Sequence, residues 1–220
     1  MQNNSYTHFI SQIKEKLTQE LPGIAAHKIM APYSRISHQE AKSKFPASKE
    51  AGVLMLIYPL KEDIFFALIK RPPYEGVHGS QVSFPGGKRE GNETLSQTAM
   101  RETEEEIGIP ISNINLLGAL TPIYIPPSKI FVHPFIACTQ DKPAFKKDDY
   151  EVEYIIEISL TELLDPENVN YSDMEVGESS NKMTIMNVPF FDIKTETIWG
   201  ATAMMLNEAK ELLKKIGLPF

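Results

Sequence analysis

Residues 87–109 read GKREGNETLSQTAMRETEEEIGI, and no other stretch restricts the fold of this chain so tightly. Thr94, followed three residues later by Gln97, makes a capping box. Gly108 suits the left-handed position just past a helix end, and Pro110 forbids continuation. The spacing therefore predicts a helix over Leu95–Ile107. At 3.6 residues per turn, Met100, Thr103 and Ile107 fall on one face, which can pack on a sheet. A second stripe carries Leu95, Ala99, Glu102 and Glu106, with Glu105 beside it.

The flanking chain supplies strands. Residues 51–58 (AGVLMLIY) and 64–69 (IFFALI) are short apolar runs separated by a turn, as in paired buried strands. Further strand patterns lie at 114–121, 131–138, 154–160, 183–191 and 197–199. A short strand at 81–84 leads into Pro85-Gly86-Gly87. Apolar residues at helical spacing mark an N-terminal helix over 6–21, ended by Pro22-Gly23, and a last helix over about 201–216. Residues 160–164 read as a short helix. Residues 24–50 read as an irregular connection and 167–181 as a polar surface loop. At 220 residues, the expectation is an α/β fold: residues 1–48 form a helix and connection packed on the body, and residues 49–220 form the main domain.

The central helix breaks local rules. Glutamates at i and i+4 repel by ~0.2–0.5 kcal/mol per pair, and carboxylates in the last turn oppose the helix dipole. Such conflicts concentrate at functional sites. A hard divalent cation resolves them, because Mg2+ and Mn2+ take oxygen ligands. A solvated acidic face balanced by Arg101 and nearby lysines is the competing reading. The glycine pair tips the balance, since it lets backbone approach a ligand and offers a free carbonyl.

In register, these residues resemble the Nudix box, G-x5-E-x7-R-E-U-x-E-E-x-G-U, with U a bulky aliphatic. The positions are filled by Gly87, Glu93, Arg101, Glu102, Thr103, Glu105, Glu106, Gly108 and Ile109. Thr103 alone departs, placing a polar β-branched residue where an aliphatic one is usual. The resemblance implies a Nudix α/β/α sandwich with a mixed sheet. It implies that Glu102, Glu105 and Glu106, with the Gly86 carbonyl, bind Mg2+ or Mn2+. Arg101 would orient the glutamates, and Glu93 would partner Arg101. Water would attack one phosphorus of a diphosphate. The proton acceptor stays open among Glu102, Glu105 and a downstream acid such as Glu151.

Upstream, residues 68–87 (LIKRPPYEGVHGSQVSFPGG) resemble the additional motif of Nudix coenzyme A pyrophosphatases, L-L-T-x-R-(S/A)-x3-R-x3-G-x3-F-P-G-G. Arg71 and Phe84-Pro85-Gly86-Gly87 match. Pro72, Gly76 and Ser80 depart, Gly76 standing where the motif has a second arginine; His78 or Lys70 are candidates to replace it. The resemblance implies Arg71, Phe84 and Gly87 as substrate contacts, with coenzyme A or acyl-CoA as substrate. The alternatives are ADP-ribose, a dinucleoside polyphosphate or a nucleoside triphosphate, and a binding module without chemistry.

Composition excludes other classes. A net charge of -7 argues against a general nucleic-acid or anionic-membrane surface. The one cysteine, Cys138, cannot form an intrachain disulfide and reads as a buried small hydrophobe. The first residues lack the basic and apolar regions of a signal peptide, so the expectation is a cytoplasmic protein. The five histidines show no zinc-type spacing, and Trp199 is expected to pack under the last helix. The amphipathic N-terminal helix motivates an expected homodimer.

Overall fold

The computed structural model describes residues 3–34, 36–73, 80–177 and 182–218, and the structural statements below concern these residues. The helices are α1 Asn3–Lys16, α2 Gly23–Ile29, α3 His38–Lys44, α4 Leu95–Ile107, α5 Leu160–Leu164 and α6 Gly200–Lys214. The main sheet is built from β1 Lys49–Leu60, β2 Asp63–Lys70, β3 Val82–Ser83, β4 Gly86–Lys88, β5 Asn115–Ala119, β6 Ile123–Ile125, β7 Ile130–Cys138 and β8 Tyr154–Ser159. A smaller antiparallel sheet holds β9 Val169–Val176, β10 Met183–Ile193 and β11 Glu196–Trp199, in the order β11-β10-β9.

The main sheet is mixed. β1 lies at its centre, parallel to β7 and antiparallel to β2 and β4. β1 is buried on both faces because helices cover both. Leu54, Leu56 and Tyr58 point toward α4 and pack with Ala99 and Ile107. Met55 and Ile57 point the other way, into a core shared with α1 and α6. This is the mixed α/β/α sandwich expected.

The close seat of α4 on the sheet depends on Gly52. A Cβ there would lie 2.2 Å from the Leu95 carbonyl oxygen and 3.0 Å from the Ala99 nitrogen. Thr103 fits the same interface. It is fully buried, and its hydroxyl donates to the Ala99 carbonyl one turn back at 2.7 Å. Its methyl is then free to pack, which explains how a polar residue stands at an aliphatic position.

α1 buries Tyr6, Phe9 and Ile13 against this same chain, each burial contributing on the order of 1.5–3 kcal/mol. The Tyr6 hydroxyl donates to the Thr139 carbonyl at 2.9 Å. The apolar face that motivated a homodimer is thus covered internally. Cys138 is buried, as read from the sequence. Trp199 is half-buried at the start of α6.

Two stretches differ from expectation. Residues 24–50 contain α2 and α3 rather than an irregular connection. Both are seven residues long, too short for a periodic apolar face to stand out. Residues 169–176, expected as loop, form β9. That strand is mostly exposed, so its residues carry no apolar signal, and its backbone is satisfied by the ladder with β10. Among the described residues no helix is long and apolar enough to cross a membrane.

Candidate active site

α4 ends in the site. Its capping box is formed as read, with Thr94 accepting from the Gln97 N–H, and Gly108 adopts the left-handed conformation at φ 73°. The helix start and end are therefore set locally, and the phase of the glutamates follows.

Glu106 is the most enclosed of them, at 1% exposure. Its Oε2 accepts the Gly86 N–H at 2.7 Å, and its Oε1 accepts from Arg71 Nη2 at 2.9 Å. Burial raises its carboxyl to about 7, against the lowering effects of Arg71 and the Gly86 N–H. The charges of Glu102 and Glu151 push the same way as burial.

Glu102 is half-buried and lies over the glycine loop. A Cβ on Gly87 would sit 2.3 Å from its carboxyl carbon, so only glycine leaves room for that carboxylate. Burial raises the Glu102 proton affinity, while Arg101 opposes this. Gly86 also needs its lack of side chain: φ is 150°, and a Cβ would fall 2.4 Å from the Gly52 carbonyl oxygen.

The third convergent carboxylate is Glu151. One oxygen each from Glu102, Glu106 and Glu151 lie within 4.8 Å of one another. Glu151 arrives on a turn docked to the helix end. The Lys146 N–H donates to the Ile107 carbonyl at 3.0 Å and the Asp148 N–H to the Glu106 carbonyl at 2.9 Å. These satisfy carbonyls that a helix C-terminus leaves without intrahelical partners. The Asp148 side chain accepts the N–H groups of Tyr150 at 2.8 Å and Glu151 at 3.0 Å, an Asx turn that aims Glu151 back at the helix. Asp148 was not singled out from the sequence; the Asp-x-x-Glu spacing in a loop is its one signal.

Glu105 stands apart from the three. Its side chain is 57% exposed and pairs with Arg101 Nη1 at 2.8 Å. Arg101 also holds Glu102 at 3.0 Å and Glu93 at 2.9 Å. Glu93 is drawn down to about 2, chiefly by its hydrogen bonds from Arg101. The Arg101 fork thus spans the loop and the helix, as an orienting residue should.

Of the upstream residues, Arg71 reaches the cluster. Its Nη2 donates to the Gly86 carbonyl at 3.1 Å as well as to Glu106. Phe84 does not face the site. It is 2% exposed in the main core, where it anchors the strand end that presents Gly86-Gly87. The contacts its side chain makes are thus with core residues, where a substrate contact was expected. Lys70 is paired with Glu196 at 2.8 Å. Gly76 and His78 lie outside the described residues. His133 is partly buried, with Nε2 3.6 Å from Glu50 and its ring edge-on to His38.

The donors suit a hard divalent cation. All are carboxylate or carbonyl oxygens, and a guanidinium already occupies a cationic position between Glu106 and the Gly86 carbonyl. A cavity of about 420 Å3 lies elsewhere, between α2 and β6, and the described residues that line it include no carboxylate. The oxygen donors a divalent cation needs converge at the glutamates instead.

A helix-covered mixed sheet that seats an acidic helix on a glycine loop defines a Nudix-type hydrolase fold. Residues 48–176, more than half of the chain, match the NUDIX domain, and the chain belongs to that family. It is similar to an uncharacterized Nudix hydrolase, NudL, of Yersinia enterocolitica, 28% identical over 169 residues, covering 76% of this chain and 84% of the relative. It is also similar to the mitochondrial coenzyme A diphosphatase NUDT8 of Homo sapiens, 29% identical over 171 residues, covering 76% of this chain and 66% of that protein. The solved Nudix hydrolase RenU from M. smegmatis superposes with a TM-score of 0.55 at 15% identity, covering 78% of this chain and 89% of that one. The protein is a Nudix hydrolase acting on small nucleoside diphosphate derivatives.

Proposed function

We propose that the chain hydrolyses the diphosphate bond of coenzyme A or acyl-CoA, releasing 3',5'-ADP and 4'-phosphopantetheine or its acyl form. The observation that carries this reading is the contact of Arg71 with Glu106 and the Gly86 carbonyl. It joins the residues of the upstream motif to the acidic helix in one site. Similarity to a relative named as a coenzyme A diphosphatase supports it.

Glu102, Glu106, Glu151 and the Gly86 carbonyl would hold Mg2+ or Mn2+. Such an ion lowers the pKa of water and neutralises charge on phosphate oxygens. Arg101 keeps Glu102 turned toward the loop. Glu102, oriented by Arg101 at 3.0 Å, accepts the proton of the attacking water. Glu151 is the alternative acceptor, being the exposed member of the three. Glu105, occupied by Arg101, assists through that arginine. The new bond joins water oxygen to one phosphorus, the anhydride bond breaks, and the other phosphate leaves as a monoester.

The departures at Gly76 and Ser80 favour a second reading with another diphosphate, such as ADP-ribose, a dinucleoside polyphosphate or a nucleoside triphosphate. Turnover of a substrate panel with Mg2+ or Mn2+, with products identified, separates the two. Coenzyme A is expected to give the highest kcat/KM, with both products formed. Activity confined to another diphosphate would sink the coenzyme A assignment. Glu106→Gln is expected to lose ~100-fold or more in kcat, as loss of a metal-site group does.

A further inference from the structure

We propose that Arg71 is an internal cation for the acid cluster. It holds Glu106 and the Gly86 carbonyl in place and gives way when a divalent cation binds. The inference rests on the metal site proposed above and adds a competition within it.

Glu106 is 1% exposed, so water cannot balance its charge. Its one ion pair among the described residues is with Arg71, at 2.9 Å. The same nitrogen, Nη2, reaches the Gly86 carbonyl at 3.1 Å. Both acceptors belong to the set proposed to hold the metal. A Mg2+ ion takes oxygens at roughly 2.0–2.1 Å and carries charge of the same sign as the guanidinium. The two cations therefore compete for the same oxygens. Glu106 keeps its second anchor throughout, because the Gly86 N–H holds Oε2 at 2.7 Å.

Arg71 is built to move. Its backbone N–H is fixed to the Gln81 carbonyl at 3.0 Å, just beyond β2. Its side chain remains 22% exposed, unlike Glu106. Release of the guanidinium leaves five donors free beside the carboxylates, suited to a phosphate oxygen. Metal loading and exposure of an anion-binding arginine then become one event. A fixed structural salt bridge would do neither.

The test is Mn2+ binding to the intact protein without substrate, read as free Mn2+ by electron paramagnetic resonance. Arg71→Gln is expected to bind Mn2+ about tenfold tighter than the parent chain, or about 1.4 kcal/mol. Arg71→Lys, which keeps the charge but is too short to bridge both oxygens, is expected to tighten binding by a smaller factor. Without metal, Arg71→Gln is expected to melt below the parent and to gain more in Tm from added Mn2+. Unchanged or weaker binding in Arg71→Gln overturns the proposal. Arg71→Lys at the parent affinity also overturns it, since net charge alone then accounts for the effect. Should Arg71→Gln fail to fold without metal, Arg71→Lys carries the comparison. Glu106→Gln separates the two levels of inference. If it retains parent Mn2+ affinity, the metal site itself is wrongly placed; if it loses Mn2+ while the Arg71 variants change nothing, only the competition fails.

Discussion

A carboxylate enclosed as Glu106 is survives only with partners, and it has two, Arg71 and the Gly86 N–H. Burial still wins, raising the group from 4.5 to about 7. Without metal, the fold therefore holds the Glu106 proton to higher pH than the unfolded chain does. Its contribution to stability is fully present below the unfolded value near 4.5 and is lost as pH rises through about 7. The difference is on the order of 3 kcal/mol. Urea unfolding in chelator between pH 4.5 and 8 is expected to show this loss in the parent chain and its absence in Glu106→Gln. Equal pH slopes in both would contradict the assignment. Arg101 acts differently, by geometry. Its fork holds Glu93, Glu102 and Glu105 together, which a single ammonium cannot do. Arg101→Lys is expected to reduce kcat/KM by ~10–100-fold while leaving the urea midpoint nearly unchanged. The box residues were legible because an α-helix converts fixed spacing into fixed direction. Asp148 was not, because a loop makes no such conversion, and Glu151 was legible only as a candidate proton acceptor.

α4 is positioned by two glycines with opposite tolerances. At Gly52 an added Cβ meets the Leu95 carbonyl at 2.2 Å, a backbone atom that cannot step aside. At Gly87 it meets the Glu102 carboxylate at 2.3 Å, the far end of a flexible side chain. Gly52→Ala is accordingly expected to cost about 2–3 kcal/mol in chemical denaturation, by lifting the helix from the sheet. Gly87→Ala is expected to leave the denaturation midpoint near that of the parent but to weaken Mn2+ binding, because Glu102 must turn away. A Gly87 variant with normal Mn2+ affinity would remove Glu102 from the metal set. Sequence indicated the helix and its caps, since both are local. It did not reveal Gly52 as the seat, because the atoms that require it lie more than forty residues along the chain. β9 was read as loop for a related reason: its backbone is satisfied by β10, and its exposed side chains leave no apolar trace.

Across the whole molecule, the N-terminal segment is tied to the C-terminal helix by one buried carboxylate. Glu208, fully buried on α6, lies 2.8 Å from His27 on α2 and accepts the Gly23 N–H at 3.1 Å. It also accepts the Thr121 hydroxyl at 2.6 Å, in the segment between β5 and β6. Asn207 next to it donates to the Ala26 carbonyl at 2.8 Å. Truncating Glu208 strands several buried donors at once, each worth about 1–3 kcal/mol unpaired. Glu208→Ala is expected to lower unfolding free energy by roughly 3 kcal/mol or more, with loss of α2 docking seen as faster proteolysis near residues 23–30. A variant as stable as the parent would show that the segment docks through its apolar contacts alone.

The sequence by itself determined the helix, its caps, the order of carboxylates on it and the glycine loop beside it. All of these are set by neighbours in the chain, where capping, helical phase and backbone freedom operate. The tertiary structure alone decided which carboxylates meet. It turned Glu105 out to Arg101, brought Glu151 in on the Asp148 turn, sank Phe84 into the core and set Arg71 on Glu106. The reason is range. Periodicity orients a side chain relative to its own helix, but only packing fixes what stands opposite it.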